Sequence, residues 1–169
     1  NVKNDKVLRL TMLFHDMGKP VMKTTDENGR DHFKGHAIAS EQIAKTVMKR
    51  LKFDNDTIRK VTKLVAYHDY RMEPTGANVR RAMHEIGVEL FPYYLAVRLA
   101  DTKAQSSYER RGKLENIIQI RELYRNALRN KECVTLKDLA VTGTDLINLG
   151  IAPGKELGTL LNELLDMVI

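Results

Sequence analysis

The stretch LRLTMLFHDMGKP, residues 8–20, runs an apolar helical pattern directly into an imidazole and a carboxylate, His15 and Asp16. Adjacent residues on a helix do not share a face, because helical neighbours lie three or four positions apart. Both side chains can still reach one ion that lies over the end of the helix, where Gly18 and Pro20 are predicted to stop it. Imidazole and carboxylate together suit a divalent ion and the phosphate oxygens that it polarises.

Three helical patterns further along the chain each carry a nitrogen or oxygen donor on the face that points inward. The first carries His36, the second His68 and the third Asp101. Their companions at helical spacing are Ser40, Ile43, Val47 and Leu51 for the first, Ile58, Val61, Leu64 and Val65 for the second, and Tyr94, Val97 and Arg98 for the third. Any one histidine alone is better explained as an ordinary core or surface side chain. The set is better explained by a shared metal or phosphate site, because unpaired buried charges are costly.

Length and composition favour one helical domain, alone or with a small appendage. The chain has 169 residues, four prolines and no tryptophan, and no alternating pattern lasts long enough to build a sheet. The fold is therefore predicted to be all-α. No apolar run approaches the length that a bilayer needs, and no signal-peptide pattern is present, so a soluble protein with no membrane partner is expected. The single Cys133 excludes an internal disulfide and is consistent with a cytoplasmic protein.

The pattern divides the chain into a long helical part and a shorter C-terminal part. Helices are predicted near 4–15, 35–52, 55–69, 78–86, 92–106 and 113–130, with a polar connector at 21–33 that contains the Asn28-Gly29 turn signal. Asn78 is predicted to cap its helix, and Gly87 to end it. Beyond residue 131 the pieces shorten, and the last helix is predicted to bury Leu157, Leu160, Leu161, Leu164 and Val168. Residues 1–130 and 131–169 are therefore predicted to be a main domain and a small helical subdomain.

Charge is spread unevenly along the chain. Residues 1–129 carry a net charge of +9 and residues 130–169 a net charge of −3, which together give the overall +6. A basic helical body indicates a phosphate-rich partner. Arg121, Arg125 and Arg129 form a row at spacing i, i+4, i+8 that could contact a nucleic-acid backbone. A solvated helix face explains the same row about equally well.

Several segments together resemble the HD superfamily of metal-dependent phosphohydrolases. They are most similar to the HD domain of bacterial CCA-adding enzymes and the related poly(A)-polymerase-like tRNA nucleotidyltransferases. The segments that carry the resemblance are residues 8–20, HFKGH at 32–36, LKFDN at 51–55 with Leu64, Val65 and His68, VRR at 79–81, RLAD at 98–101, TGTDLI at 142–147 and LGIAPG at 149–154. They follow one another in family order and span nearly the whole chain.

The resemblance implies an HD-type helical bundle over residues 1–130 and a role for each donor. His15, Asp16 and Asp101 would hold a divalent ion, for which Mg, Mn, Ni and Co are all plausible, and should converge in space. His36 and His68 would contact a second ion or the phosphate, or transfer protons, and Lys19 would neutralise phosphate charge. The superfamily's first histidine has no counterpart before His15, and the catalytic head of the nucleotidyltransferases is missing. The chain therefore looks like the carboxyl-terminal part of a longer polypeptide, with an N-terminally truncated HD domain.

Three functions are compatible with these residues. The first is metal-dependent phosphohydrolysis of 2′-nucleotides or 2′,3′-cyclic phosphates, within a parent protein that adds nucleotides to the 3′ end of tRNA. The partners implied are tRNA or another RNA 3′ end, nucleotide phosphoesters and the N-terminal nucleotidyltransferase domain of the parent chain. The second is a catalytically inactive body and tail that bind tRNA for that head domain. The third is a stand-alone HD hydrolase acting on free nucleotides. Metal binding would distinguish these functions, because an enzyme should retain stoichiometric metal whereas a scaffold should bind tRNA with or without it.

Overall fold

The computed structural model describes residues 2–169 and is almost entirely helical, which confirms the predicted all-α fold. The α-helices in chain order are α1 (Lys6–Phe14), α2 (Lys19–Met22), α3 (His36–Arg50), α4 (Asn55–Tyr67), α5 (Gly76–Ile86), α6 (Phe91–Ala104), α7 (Arg110–Arg129), α8 (Gly143–Asn148) and α9 (Lys155–Val168). A short 3₁₀ turn occupies Leu136–Asp138. The polar connector after α2 folds into an antiparallel hairpin of β1 (Thr24–Thr25) and β2 (Asp31–His32), which the prediction of no sheet did not include. None of the helices within residues 2–169 is both long enough and apolar enough to cross a membrane.

The first of two compact units runs up to Arg71 and resumes over Glu89–Ile117. Its core is formed by α1, α3 and α4, whose buried side chains are Phe14, Ala44, Met48, Ile58, Val61 and Val65. Every companion predicted for the His68 face of α4 is buried. Asp54 caps the start of α4, because its carboxylate accepts hydrogen bonds from the Thr57 N–H at 2.8 Å and the Thr57 hydroxyl at 2.7 Å. These contacts lower the pKa of Asp54 to about 2.

The inward face of α3 includes the predicted Ser40 but otherwise differs from the prediction. Ser40, Ala44 and Met48 are buried, whereas Leu51 is 59% exposed. The prediction for Leu51 was wrong because α3 ends at Arg50, and Lys52 turns the chain with a positive φ of 57°. The helical register therefore does not extend to residue 51.

The second unit comprises Met72–Val88 and Ile118–Ile169. Its helix α5 begins at Gly76, two residues before the predicted cap, because the Thr75 side chain accepts the N–H of Asn78. Gly87 ends α5 as predicted, with a φ of 100°. In α9 the prediction for Val168 was wrong: that side chain is 51% exposed, whereas Leu165 is 1% and Ile169 is 5% exposed. The i, i+4 step from Leu165 to Ile169 carries the buried stripe instead. The division into a main domain over residues 1–130 and a small helical subdomain over residues 131–169 stays a prediction.

Candidate metal centre

The imidazole and carboxylate pair lies in the turn immediately after α1. The helix ends at Phe14, so His15 caps it and Asp16 follows in the turn. The prediction that Gly18 and Pro20 stop this helix was wrong, since Pro20 lies in the first turn of α2. Because both donors lie beyond the last helical residue, their side chains can face the same region past the helix end.

Gly18 fixes this turn against the start of α3. Its N–H donates a hydrogen bond of 2.8 Å to the Ser40 hydroxyl. A methyl group on its Cα would lie 2.5 Å from the His36 carbonyl oxygen and 2.6 Å from the Ser40 nitrogen. Its φ of −80° is open to any residue, so the close approach of two backbones is what requires glycine here. That approach brings Asp16 next to the histidine at the start of α3.

Three imidazoles are oriented in the same way by the backbone. The Nδ1 atom lies 2.9 Å from the Met12 carbonyl in His15, 2.9 Å from the Phe33 carbonyl in His36 and 2.7 Å from the Val65 carbonyl in His68. A carbonyl only accepts hydrogen bonds, so each Nδ1 carries the proton. In the neutral imidazole, Nε2 then keeps its lone pair. Hydrogen bonding of the outer ring nitrogen to a carbonyl is the usual support of a histidine that ligates a metal.

The Nε2 atoms of His36 and His68 meet at one oxygen of Asp16. They lie 3.1 Å from each other, and 3.5 Å and 3.6 Å from Asp16 Oδ1. Donor atoms of these three residues all lie within 4.8 Å of one another, close enough to hold one ion. Two unprotonated Nε2 atoms at this separation repel each other, and a cation among the three donors would remove that repulsion. The donor set thus fits a divalent metal ion, and its two imidazole nitrogens favour Mn, Co or Ni over Mg, which prefers oxygen ligands.

The other oxygen of Asp16 faces His15, which in turn contacts Asp101 on α6. His15 Nε2 lies 3.3 Å from Asp16 Oδ2 and 3.7 Å from Asp101 Oδ1. The structure therefore brings His15, Asp16 and Asp101 together, and places His36 and His68 beside them. Asp16 is the carboxylate shared by both groups.

Burial and charge act in opposite directions on the protons of this cluster. Burial lowers the pKa of His68, and the neighbouring imidazoles add to that effect. Burial also acts to lower the pKa of His15, but the contact with Asp101 and the charge of Asp16 outweigh it, so the pKa lies above its ordinary value. Contact with His15 lowers the pKa of Asp101. Near neutral pH, His68 is thus the neutral donor and Asp101 the charged one.

Gln105 supports Asp101 from outside the cluster, a role that the sequence analysis missed. Its Nε2 donates a hydrogen bond of 2.7 Å to Asp101 Oδ2, and its Oε1 accepts one of 3.1 Å from Lys113 Nζ. The guanidinium of Arg110 donates to the Gln105 carbonyl. The i, i+4 spacing from Asp101 to Gln105 was the available signal. Arg110 and Lys113, at the start of α7, therefore hold Gln105 in place beside Asp101.

The cluster lies in a cleft of about 600 Å³, whose size is within the range of ligand pockets. The side chains that line it beyond Asp16, His36, His68, Asp101 and Gln105 are Lys19, Arg30, Asp31, His32, Phe33, Lys34, Asp69 and Arg71. Lys19, predicted to neutralise phosphate, forms an ion pair of 2.6 Å with Asp16 Oδ2. Its ammonium also lies 5.9 Å from the centroid of the Phe33 ring.

The predicted arginine row belongs to the second unit. Arg125 and Arg129 are exposed and Arg121 is half-buried on α7. Arg125 Nη1 forms an ion pair of 2.7 Å with Glu122 on the same helix. The role of this row in RNA binding stays a prediction.

The fold and the centre define a class: an all-α protein with a partly buried cluster of histidines and carboxylates. The family model described as tRNA nucleotidyltransferase domain 2 matches residues 35–169, and the chain belongs to this family. The predicted relationship to CCA-adding enzymes is thereby confirmed, whereas the wider HD superfamily stays a prediction.

Two curated relatives align along nearly the whole chain. The chain is 30% identical over 164 residues to a CC-adding tRNA nucleotidyltransferase of Thermus thermophilus, covering 94% of this chain and 35% of the relative. It is 27% identical over 164 residues to an A-adding tRNA nucleotidyltransferase of Deinococcus radiodurans, covering 96% of this chain and 37% of the relative. The chain thus spans little more than a third of the length of these relatives. No solved structure matches it.

Proposed function

We propose that this chain is the tRNA-holding part of a tRNA nucleotidyltransferase and carries a divalent-metal centre that hydrolyses phosphoesters. The substrates proposed are 2′-nucleotides and 2′,3′-cyclic phosphates at RNA 3′ ends, and the partner within the parent protein is its N-terminal nucleotidyltransferase domain. The observation that carries this proposal is the set of three imidazoles whose Nδ1 protons are held by carbonyls around Asp16. A cytoplasmic location follows from a role in tRNA processing.

Asp16 connects two groups of ligands in this proposal. Asp16 would hold one cation together with His15 and Asp101, and a second together with His36 and His68. A divalent ion would supply Lewis-acid chemistry, polarising a phosphate oxygen and lowering the pKa of water. Lys19, already beside Asp16, is placed to neutralise the charge of a phosphate.

Hydrolysis of a cyclic phosphate forms one P–O bond to the water oxygen and breaks one P–O bond to a ribose oxygen. A proton leaves the water, and a proton reaches the ribose oxygen. Where His36 and His68 do not bind an ion, their Nε2 atoms are positioned to accept the proton of the water. The lowered pKa of His68, due to its burial, favours the neutral accepting form.

Metal binding tests this proposal most directly. Titration of the protein with Mn, Co, Ni and Mg in a calorimeter should show stoichiometric binding of at least one ion. The same loaded protein should open a 2′,3′-cyclic nucleotide, and Asp16→Asn should lose both properties. Asp69→Asn provides the control, because that exposed carboxylate lines the same cleft but pairs with Arg71. Absence of both binding and hydrolysis with all four ions would reject the proposal.

A tRNA-binding module without metal chemistry is the second candidate. The ion pair between Lys19 and Asp16 favours it, because an ammonium already neutralises the central carboxylate. In this case tRNA affinity, measured by fluorescence anisotropy, should be unchanged by EDTA and by Asp16→Asn. A dependence of hydrolysis on added metal would exclude it.

A further inference from the structure

The hairpin between α2 and α3 forms one wall of the cleft, and its two aspartates are already paired within it. We call residues 23–34 the hairpin arm. Asp31 accepts a hydrogen bond of 2.7 Å from the Thr25 hydroxyl and pairs with Lys23 at 2.8 Å. Asp26 contacts His32 Nε2 at 2.9 Å and accepts two backbone N–H groups of the turn. These contacts stabilise the hairpin arm and offset the charge of its two aspartates, whereas Glu27 is not among the residues that line the cleft.

Two cations of the hairpin arm have no such partner. Arg30 and Lys34 line the cleft, and within residues 2–169 neither side chain forms an ion pair or a hydrogen bond. The other two cations of the cleft are occupied, since Lys19 pairs with Asp16 and Arg71 pairs with Asp69. Arg30 and Lys34 therefore present unpaired positive charge to the cleft that holds the candidate metal centre. An anionic ligand is what such charge recognises.

The hairpin arm also contains an aromatic side chain, Phe33. Phe33 lies between Arg30 and Lys34 in sequence, lines the cleft and is half-buried. An aromatic face beside unpaired cations is the usual arrangement for a single-stranded nucleic acid, whose base stacks while its phosphate meets the charge. A ligand with one phosphate needs only one of two sites, the metal centre or the pair of cations. A ligand with a second phosphate would use both sites.

We infer that the hairpin arm binds the phosphodiester that precedes the terminal nucleotide of an RNA 3′ end, through Arg30 and Lys34, with Phe33 stacking on a base. This inference rests on the proposed function, in which the terminal phosphate lies at the metal centre. It names the substrate class of that centre as an oligonucleotide end, in preference to a free mononucleotide. Arg30, Phe33 and Lys34 are then specificity residues.

Equilibrium binding of three ligands to the metal-loaded protein tests the inference without any turnover. The ligands are a mononucleotide 3′-phosphate, a dinucleotide with a terminal 3′-phosphate, and the same dinucleotide without a terminal phosphate. The wild-type protein should bind the phosphorylated dinucleotide about tenfold more tightly than the mononucleotide, the advantage expected of one hydrogen-bonded charge pair. Arg30→Ala with Lys34→Ala should remove that advantage and leave mononucleotide affinity unchanged. Calorimetry gives all of these dissociation constants.

A charge-matched control separates local contact from the general field of the protein. Lys49→Ala with Arg50→Ala removes the same charge from exposed positions at the end of α3. This variant should keep the tenfold advantage of the dinucleotide. Equal loss in both double variants, or an advantage that survives Arg30→Ala with Lys34→Ala, would overturn the inference.

The dinucleotide without a terminal phosphate distinguishes failure of the inference from failure of the proposed function. It should bind weakly, should not require metal, and should lose affinity in the Arg30→Ala, Lys34→Ala variant. If it does not respond to that variant, the hairpin arm is not a phosphate site, whatever the metal centre does. If metal does not change the affinity for the mononucleotide, but the dinucleotide still loses affinity in the Arg30→Ala, Lys34→Ala variant, the proposed function fails and the hairpin arm remains an RNA contact.

Discussion

The cleft of the first unit and the arginine row of the second unit use polar side chains in different ways. In the cleft, donors from the end of α1, the start of α3, the end of α4 and the last turn of α6 meet within contact distance, and three imidazoles are oriented by carbonyls. On α7, charges are spread along a helix surface, and Arg125 pairs with its neighbour Glu122. Converging, oriented donors are suited to hold an ion, whereas a spaced row is suited to follow an extended polyanion. Substitutions in the cleft are therefore expected to weaken metal binding and spare tRNA binding, and substitutions in the arginine row to do the reverse.

The largest effect is expected from Asp16→Ala. This residue contacts all three imidazoles of the centre and Lys19. Loss of an outer partner of a metal ligand typically weakens metal binding about 10–100-fold, so loss of the shared ligand itself should exceed that range. Calorimetric titration with Mn, Co and Ni should therefore show no measurable binding.

Thermal unfolding supplies a second readout for the same variant. Metal at about 100 times its dissociation constant should stabilise the wild-type protein by about 2.7 kcal/mol and leave Asp16→Ala unaffected. Asp69→Ala should retain the full shift, and tRNA binding through the arginine row should remain in both variants. Retained metal stabilisation in Asp16→Ala would show that the centre is not where these donors meet.

A smaller loss is expected from Gln105→Leu, which removes the hydrogen bond to Asp101 and leaves all five donors in place. Metal affinity should fall about 10–100-fold, because an unsupported carboxylate samples other orientations. Gln105→Glu should be at least as harmful, since it places a second negative charge beside Asp101. Gln119→Leu, an exposed change on α7, provides the control. Unchanged metal affinity in Gln105→Leu would mean that Asp101 is not a ligand.

Gly18→Ala should cost stability as well as function. The added methyl group meets two backbone atoms, which cannot move aside as a flexible side chain can. Forcing a group into such a contact typically costs about 1–3 kcal/mol, and the shift should separate Asp16 from His36 and weaken metal binding. Gly158→Ala in α9 meets nothing within 4 Å and should be neutral or stabilise by up to about 1 kcal/mol. Urea unfolding of both variants measures the contrast between the two units.

The sequence predicted helices and inward faces better than it predicted helix ends. The face of α4 from Ile58 to His68 follows a single period within one helix, so pattern alone was sufficient. The errors at Leu51 and Val168 fall at or next to helix ends, where the terminal residues leave the helical period.

Within the candidate site, the donor residues could be predicted from the sequence, but the contacts that hold them in place could not. The donors His15 and Asp101 stood out because their side chains carry chemistry. Gly18 and Gln105 support those donors through a backbone contact and one hydrogen bond, and such contacts become visible only when the helices are placed. The sequence predicts only a polar connector at the hairpin arm, because two-residue strands leave almost no alternating pattern.

The smallest effect is expected from the arginine row of the second unit. Replacing Arg121, Arg125 and Arg129 together by Ala should weaken tRNA binding and flatten its dependence on salt. Each phosphate contact contributes about 0.7–0.9 to the slope of log affinity against log salt, so three contacts predict a loss of about 2–3. Arg125→Ala alone should reduce tRNA affinity and the salt slope less than Arg129→Ala does, because Arg125 is already paired with Glu122.

Fluorescence anisotropy of labelled tRNA between low and moderate salt measures that slope. Lys45, Lys49 and Arg50 replaced together by Ala remove the same charge from the first unit and should change the slope less. Metal binding should be unchanged in both triple variants, because neither removes a donor of the centre. Equal slopes in the two variants would show that the row on α7 contributes only net charge, and RNA contact would then have to be sought at the basic residues of the first unit, beginning with the hairpin arm.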